Sequence, residues 1–96
     1  MDVLVTYDVS TTTRDGHKRL ARIAKICEGF GVRVQYSVFE CRLSAASFEK
    51  LKAAISSTID PSQDGVRIYR FPGDLQNSVE TIGSERPWHA GGPWIV

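Results

Sequence analysis

Asp8 is the residue of this sequence best placed to do chemistry, because it comes near the end of the hydrophobic segment 2–9, DVLVTYDV. One interpretation is that its carboxylate accepts hydrogen bonds from the Ser-Thr loop that follows, a common turn arrangement. The other is a metal site. Mg²⁺ prefers carboxylate oxygen and keeps most of its waters, so one Asp from each of two protomers could hold a hydrated ion. Such an ion polarises a phosphodiester and lowers the pKa of a bound water.

Basic residues are concentrated shortly after Asp8. The formal net charge of the 96 residues is only +1. Residues 14–33, however, contain six basic and two acidic side chains, which gives this segment a net charge of +4. A solvated helix face would explain the pattern, and so would a phosphate-binding surface, whose affinity falls steeply with salt. The residues that we predict to bind nucleic acid are Arg14, Lys18, Arg19, Arg22, Lys25 and Arg33.

Other kinds of site lack the residues that they need. Cys27 and Cys41 are 14 positions apart with no CxxC motif or paired His nearby, so we expect buried free thiols in a reducing compartment. His17 and His89 have no ligand or base at a useful spacing. No glycine-rich phosphate loop occurs, which disfavours nucleotide cofactors. No aromatic platform is interleaved with the basic residues, so sequence-specific base reading is not expected.

The elements that position these residues follow from the hydrophobic pattern. The first apolar segment has two apolar faces as far as Asp8, which indicates a central strand. The alternation changes phase near Ser37, which predicts two short strands that meet there. Ser44 is suited to cap a helix. In chain order we predict a strand at 2–9, a helix at 14–28, two strands within 32–43, a helix at 44–58, a strand at 66–71 and a weaker strand at 79–82.

This order predicts an α+β, ferredoxin-like βαββαβ fold with an antiparallel sheet and an extra C-terminal strand. The helices cover one face of the sheet, and a homodimer would cover the other, where Leu4 lies. We expect a ferredoxin-like domain at residues 1–83 and a C-terminal tail at residues 84–96, which contains both tryptophans. No apolar run of about 18–20 residues occurs, and the N-terminus does not have the pattern of a signal peptide. We therefore expect a cytoplasmic protein with no membrane partner.

The segments around Asp8 resemble a known family. The combination of VTYDVS at residues 5–10 with RVQYSVFEC at residues 33–41, separated by one basic helix, is similar to the CRISPR-associated protein 2 family. DGVRIYRF and VETIG continue the resemblance as far as residue 83. The pattern looks most like the members that accompany type I-C systems. The resemblance implies a ferredoxin-like homodimer in which the C-terminal strand pairs with the sheet of the partner.

The resemblance also implies site residues. The metal-binding aspartate of the family corresponds to Asp8, which is preceded by Tyr7. The strand-two arginine and phenylalanine of the family correspond to Arg33 and Phe39. A second arginine, at the start of the first helix in many members, corresponds here to Arg14 or Arg19, and His17 falls at one such place.

The resemblance implies, too, what the protein does. Members of the family are assigned metal-dependent endonuclease activity, on single-stranded RNA in some and on double-stranded DNA in others. They also form the central dimer between integrase subunits during spacer acquisition. We therefore predict a CRISPR adaptation protein that is a Mg²⁺-dependent endonuclease on RNA or double-stranded DNA and the central dimer of the spacer-integration complex. Asp8 would be its catalytic residue and metal ligand.

Two alternatives belong to other classes of protein. The first is a non-catalytic, DNA-binding scaffold for the integrase, and cleavage that depends on Asp8 and Mg²⁺ would distinguish the nuclease from it. The second is a small-molecule regulatory domain of the same fold, which would not need the basic residues. DNA binding at moderate salt would exclude the regulatory domain. The tail has two interpretations of its own: it covers a sheet edge of its own dimer, or it binds the integrase through Trp88 or Trp94.

Overall fold

The strand that ends at Asp8 lies in the interior of a four-stranded sheet in the computed structural model. The structure describes residues 1–83, and the predicted tail lies outside them. The strands lie side by side in the order Val32–Gln35, Val38–Arg42, Asp2–Asp8 and Gly65–Phe71, and all three pairs are antiparallel. The predicted ferredoxin-like βαββαβ core is therefore confirmed. Its elements are β1 (Asp2–Asp8), α1 (Arg14–Glu28), β2 (Val32–Gln35), β3 (Val38–Arg42), α2 (Ala45–Thr58), β4 (Gly65–Phe71) and a short 3-10 helix (Leu75–Ser78).

The hydrophobic core lies between one face of the sheet and the two helices. Side chains alternate between the faces of a strand, and Val3, Val5 and Phe39 on the helix side are fully buried. Ile23 of α1 and Leu51 of α2 are fully buried against them. Each such side chain contributes about 1.5–3 kcal/mol by leaving water. Strand β1 is thus held by β3 as far as Thr6 and by β4 as far as Asp8. The β4 ladder therefore fixes the backbone at Asp8.

Neither α-helix covers the other face of the sheet, and within residues 1–83 the short 3-10 helix reaches it at Asp2, where the Leu75 N–H donates to the Asp2 carboxylate. Leu4 lies there between Glu40 of β3 and Tyr69 of β4 in the strand register. Val32 of β2 pairs with Glu40 and is 68% exposed, and Tyr69 is 45% exposed. The expectation that this face needs a cover therefore has a structural basis.

Both helices begin where the polar residues of the sequence predict. Thr13 caps α1 by accepting a hydrogen bond from the Gly16 N–H at 3.1 Å. Ser44 caps α2 in the same way, with the Ser47 N–H at 3.1 Å. Each cap satisfies a backbone donor that the first helical turn would otherwise leave without a partner. Neither helix of the described chain is long and apolar enough to cross a membrane.

Two features of the strands need comment. The reversal predicted near Ser37 is confirmed, because β2 ends at Gln35 and β3 begins at Val38, with a register shift in the ladder between Arg33 and Gln35. The strand predicted at 79–82 is not formed in the described part of the chain. A strand exists only where a neighbouring strand completes its hydrogen bonds, and no described strand pairs with these residues.

Candidate metal and nucleic-acid site

Asp8 is the last residue of β1, and its side chain is exposed. Its position is set by the sheet, because it lies opposite Gly65 of β4. Among residues 1–83 no side chain or backbone N–H is bonded to its carboxylate. The interpretation of Asp8 as an acceptor for the following loop is therefore wrong: the N–H of Ser10 donates to Asp64 instead, at 3.1 Å.

A shallow depression of about 370 Å³ adjoins Asp8. The end of β1, the β1–α1 loop, α1 and the turn between β2 and β3 all contribute to it. His17, for which the sequence offered no useful neighbour, lies in this lining together with Asp8. The residues that line the depression include Tyr7, Asp8, Thr11, His17 and Tyr36.

The chemistry of Asp8 suits a hydrated divalent ion better than a metal enclosed by protein. Within the described residues no group of three or more His, Cys, Asp or Glu side chains could hold a metal ion. Mg²⁺ keeps several waters and often binds through one or two carboxylates, so a single exposed carboxylate fits one protein ligand of such an ion. In a homodimer, a second carboxylate would come from the other copy of Asp8.

Tyr7, Arg33 and Phe39 pack together beside Asp8. Arg33 Nη2 donates to the Tyr7 hydroxyl at 3.3 Å, and the guanidinium lies 5.1 Å from the centre of the Phe39 ring. The ring centres of Tyr7 and Phe39 are 6.2 Å apart. The Tyr7 hydroxyl donates to the Tyr36 carbonyl at 3.4 Å. Burial raises the pKa of Tyr7 above its ordinary value of 10, so Tyr7 keeps its proton and does not serve as a base at neutral pH.

Four of the six basic residues lie exposed on α1. With about 100° between successive residues, their positions fall within an arc of roughly 80° on the helix. None of the four makes an ion pair with another part of the described chain. We call this set the α1 stripe, and its members are Arg14, Lys18, Arg22 and Lys25.

Arg19 and Arg33 differ from the α1 stripe because they are directed at protein groups. Arg19 Nε lies 2.8 Å from Asp64 Oδ2, and the Arg19 side chain is only 13% exposed. Arg33 Nη1 lies 3.6 Å from Glu28 Oε1, and the Arg33 side chain is 14% exposed. Their low exposure argues against direct phosphate contacts, so the α1 stripe is the better candidate for the nucleic-acid surface.

The loop after Asp8 is bonded to a buried carboxylate, that of Asp64, through the Ser10 N–H. The Asp64 side chain is 0% exposed and accepts hydrogen bonds from Arg19 and from the N–H groups of Ser10 and Asp60. The Arg19 hydrogen bond is the main reason why the pKa of Asp64 lies below its ordinary value of 3.8. In the sequence, Asp64-Gly65 indicates only a loop, and nothing local shows that the carboxylate turns inward.

Comparisons with known proteins identify the family. The family model for CRISPR associated protein Cas2 matches residues 1–79. A relative from Chlorobaculum tepidum, a CRISPR-associated endoribonuclease Cas2, is 44% identical over 96 residues that cover all of both chains. A relative from Halalkalibacterium halodurans, a CRISPR-associated endonuclease Cas2, is 45% identical over 85 residues and 88% of each chain.

A solved structure agrees with these sequence matches. The crystal structure of Streptococcus pyogenes Cas2 at pH 6.5 superimposes with a TM-score of 0.77 and 47% identity, over 86% of this chain and 100% of that one. The resemblance to type I-C members stays a prediction. The family itself is shown by sequence and by fold, and the chain belongs to the Cas2 family of CRISPR-associated proteins.

Proposed function

We propose that this chain is a CRISPR adaptation endonuclease in which Asp8 of each of two protomers binds Mg²⁺ for phosphodiester hydrolysis in RNA or double-stranded DNA. The observation that carries the proposal is the exposed Asp8 carboxylate, which ends a rigid strand and has no partner within the described residues. Relatives of this chain are named as an endoribonuclease and an endonuclease. When bound, the metal would polarise the phosphodiester and activate a water.

The homodimer that this proposal needs would form on the open face of the sheet. Leu4, Val32 and Tyr69 share that face, and the last two are largely exposed. A two-fold axis brings the same patch of both copies together, and each Å² of apolar surface so buried contributes about 25 cal/mol. Sedimentation equilibrium tests the dimer. A monomer at micromolar concentration would remove the second carboxylate from the proposed metal site.

The chain's own residues would position the nucleic acid. The α1 stripe follows Asp8 along the chain and offers four cations to the phosphates. Arg14 is the first residue of α1, where a cation opposes the helix dipole and destabilises the helix. A basic residue at this position is of no use to the helix, but it is well suited to an anionic ligand.

Asp8→Asn tests the catalytic role, since it keeps the shape of the side chain and removes its charge. Loss of a group that only supports a metal ligand costs roughly 10–100-fold, so we expect loss of the ligand itself to lower Mg²⁺-dependent cleavage at least 100-fold. Asp15→Asn is the matched control, because Asp15 is an exposed acid in the first turn of α1. Equal cleavage by Asp8→Asn and wild type, or cleavage that survives a chelator, would contradict the proposal.

A non-catalytic scaffold for the integrase is the second candidate. It is favoured by the lack of a three-residue metal cluster among the described residues and by the exposed α1 stripe. If the stripe binds phosphates, each Gln substitution within it should lower the log–log salt slope of DNA binding by roughly one unit. Lys50→Gln, an exposed cation on α2, is the control. Intact binding without any Asp8-dependent cleavage would establish the scaffold instead of the nuclease.

The integrase partner is proposed to bind through the tail at 84–96, which lies outside the described residues. Trp88 or Trp94 would be the buried anchor, and an aromatic anchor can contribute about 2 kcal/mol or more. Deletion of 84–96 tests this. If the truncated dimer keeps its melting temperature and no longer co-purifies with the integrase, the tail is the binding segment. A large fall in melting temperature would make it part of the fold.

A further inference from the structure

We infer that Asp64 is a positioning residue for the nuclease reaction, which fixes the loop after Asp8 and thereby the direction of the Asp8 carboxylate. The inference rests on the proposed function of Asp8. Asp64 itself does not touch the nucleic acid or the metal in this scheme. It acts through the backbone that links β1 to α1.

Asp64 joins three segments of the chain with a single buried carboxylate. Its Oδ1 accepts from the Ser10 N–H at 3.1 Å and from Arg19 Nη2 at 3.4 Å. Its Oδ2 accepts from Arg19 Nε at 2.8 Å and from the Asp60 N–H at 2.9 Å. A buried charge is stable only when it is paired and hydrogen-bonded in this way. The β1–α1 loop, α1 and the α2–β4 loop are therefore tied to one point.

The loop after Asp8 is also held from its opposite side. The N–H of Ser10 is bonded to Asp64, whereas the carbonyl of Ser10 lies against Gly16, where any Cβ atom would overlap the carbonyl oxygen. Val9 is buried in the core, and Thr13 caps α1. The loop thus has contacts at its start, middle and end, which leave it little freedom to move.

These contacts determine how Asp8 is presented. Ser10 is two residues after Asp8, and Gly65, which follows Asp64, lies opposite Asp8 in the β1–β4 register. Gly65, through the β1–β4 ladder, and Asp64, through Ser10, therefore constrain the backbone at Asp8 and directly after it. Because the Asp8 carboxylate has no hydrogen bond or ion pair within residues 1–83, its direction depends on this backbone. A displacement of about 1 Å in a catalytic group can reduce a rate about 100-fold.

The opposite end of β1 provides a matched control. Asp2 is also buried, and it accepts from the Leu75 N–H at 2.9 Å and from Arg42 Nε at 3.2 Å. It is the same kind of anchor as Asp64, at the end of the strand away from Asp8. Removing either carboxylate weakens the fold, but only Asp64 contacts the loop that follows Asp8.

The experiment compares Asp64→Asn with Asp2→Asn in the full chain. Cleavage of an oligonucleotide is measured with Mg²⁺, and Mn²⁺ binding is followed by paramagnetic broadening of the Asp8 amide signal. We expect Asp64→Asn to lower kcat about tenfold or more with an unchanged KM, because the α1 stripe is intact. The Mn²⁺ midpoint should rise several-fold. Asp2→Asn should lower the melting temperature and leave both kcat and the Mn²⁺ midpoint unchanged.

Substitutions of Arg19 provide a second test of the inference if Asp64→Asn does not fold. Arg19→Lys keeps a cation beside Asp64, and Arg19→Gln does not, so the lysine variant should retain more kcat than the glutamine variant. Equal kcat in the two variants would overturn the inference.

The outcomes separate the inference from the proposed function. If wild-type Asp8 is broadened by Mn²⁺ and Asp64→Asn has the same midpoint and kcat, the inference alone is overturned. It is also overturned if the Asp64 and Asp2 variants lose kcat in proportion to their loss of melting temperature. If Asp8 is not broadened in wild type and Asp8→Asn cleaves normally, the proposed function fails, and the positioning role fails with it.

Discussion

Gly16 lies inside α1, where alanine would ordinarily stabilise the helix. A Cβ atom at this position would overlap the carbonyl oxygen of Ser10 and would lie 3.0 Å from its carbonyl carbon and 3.3 Å from the Cα of Thr11. All three atoms belong to the backbone of the β1–α1 loop. No side chain can rotate away to make room, so the substitution Gly16→Ala has to displace the loop itself.

The magnitudes decide the sign of the effect. Gly16 is the third residue of α1, so alanine gains there at most the roughly 1 kcal/mol by which it exceeds glycine in a helix interior. An extra carbon in a filled space costs roughly 1–3 kcal/mol. Because Asp64 holds the N–H side of Ser10, we expect a cost at or above the upper end of that range. The net loss is then about 2 kcal/mol, or roughly 8–16 °C in melting temperature for a domain of this size.

The assay is thermal unfolding of the full chain, together with kcat for Mg²⁺-dependent cleavage. Protein concentration must be the same for all variants, because the stability of a dimer depends on it. Gly65→Ala is the control: Gly65 lies opposite Asp8, and nothing lies within 4 Å of its Cβ position. That change should be neutral or should stabilise by about 0.4–1 kcal/mol through the unfolded chain. We expect Gly16→Ala to lose kcat as well as stability.

Two results would refute this reasoning in different places. If Gly16→Ala melts at or above the wild-type temperature, the loop is not packed against α1 as described. If it melts lower but cleaves at the wild-type rate, the loop is packed there, and the orientation of Asp8 does not depend on it.

Two further predictions concern pH and the thiols. Hydrogen bonds keep the pKa values of three carboxyls, Asp2, Asp60 and Asp64, below the ordinary 3.8. The main donors to these carboxyls are, in the same order, the Leu75 N–H, the Ser62 side chain and the Arg19 side chain. A carboxyl whose pKa is lower in the folded state than in the unfolded state stabilises the fold at pH values above its unfolded-state pKa. This stabilisation is lost as the pH falls through the pKa of the folded state. The melting temperature should therefore decrease once the pH is lower than about 4. A melting temperature that does not change between about pH 6 and 3 would contradict this. Burial raises the pKa of Cys27 to about 12 and of Cys41 to about 11. Both thiols should react with an aromatic disulfide at pH 8 only after denaturant is added, whereas reaction in the native protein would show that they are accessible.

The elements as far as residue 71 could be predicted from the sequence because each has a local signal. The helix predicted at 14–28 is observed at Arg14–Glu28, and the Ser44 cap and the reversal near Ser37 are confirmed. Caps, turns and hydrophobic periods depend on neighbouring residues, so they can be read without the fold. The strand predicted at 79–82 cannot be established from neighbouring residues in this way, because a strand needs a second strand beside it, which the local sequence does not specify.

The exposed position of the Asp8 carboxylate required the structure, although its place at the end of an apolar strand was evident in the sequence. Asp8 and Asp64 both stand beside a loop and look alike there. One is exposed with no partner in the described chain, and the other is buried with four hydrogen bonds. Burial is a property of packing, which a run of loop residues does not encode locally.

The basic residues show the same difference between what the local sequence indicates and what packing decides. Lys18 and Arg19 are adjacent cations in α1, and composition treats them alike. The turn of the helix directs Lys18 to solvent and Arg19 to Asp64, which lies 45 positions further along the chain. The sequence by itself determined the fold class and the helices, and it singled out Asp8 as the residue to test. The tertiary structure alone decided which cations remain exposed for a ligand and what holds the loop after Asp8, because both depend on residues that are distant in the chain and meet only when it folds.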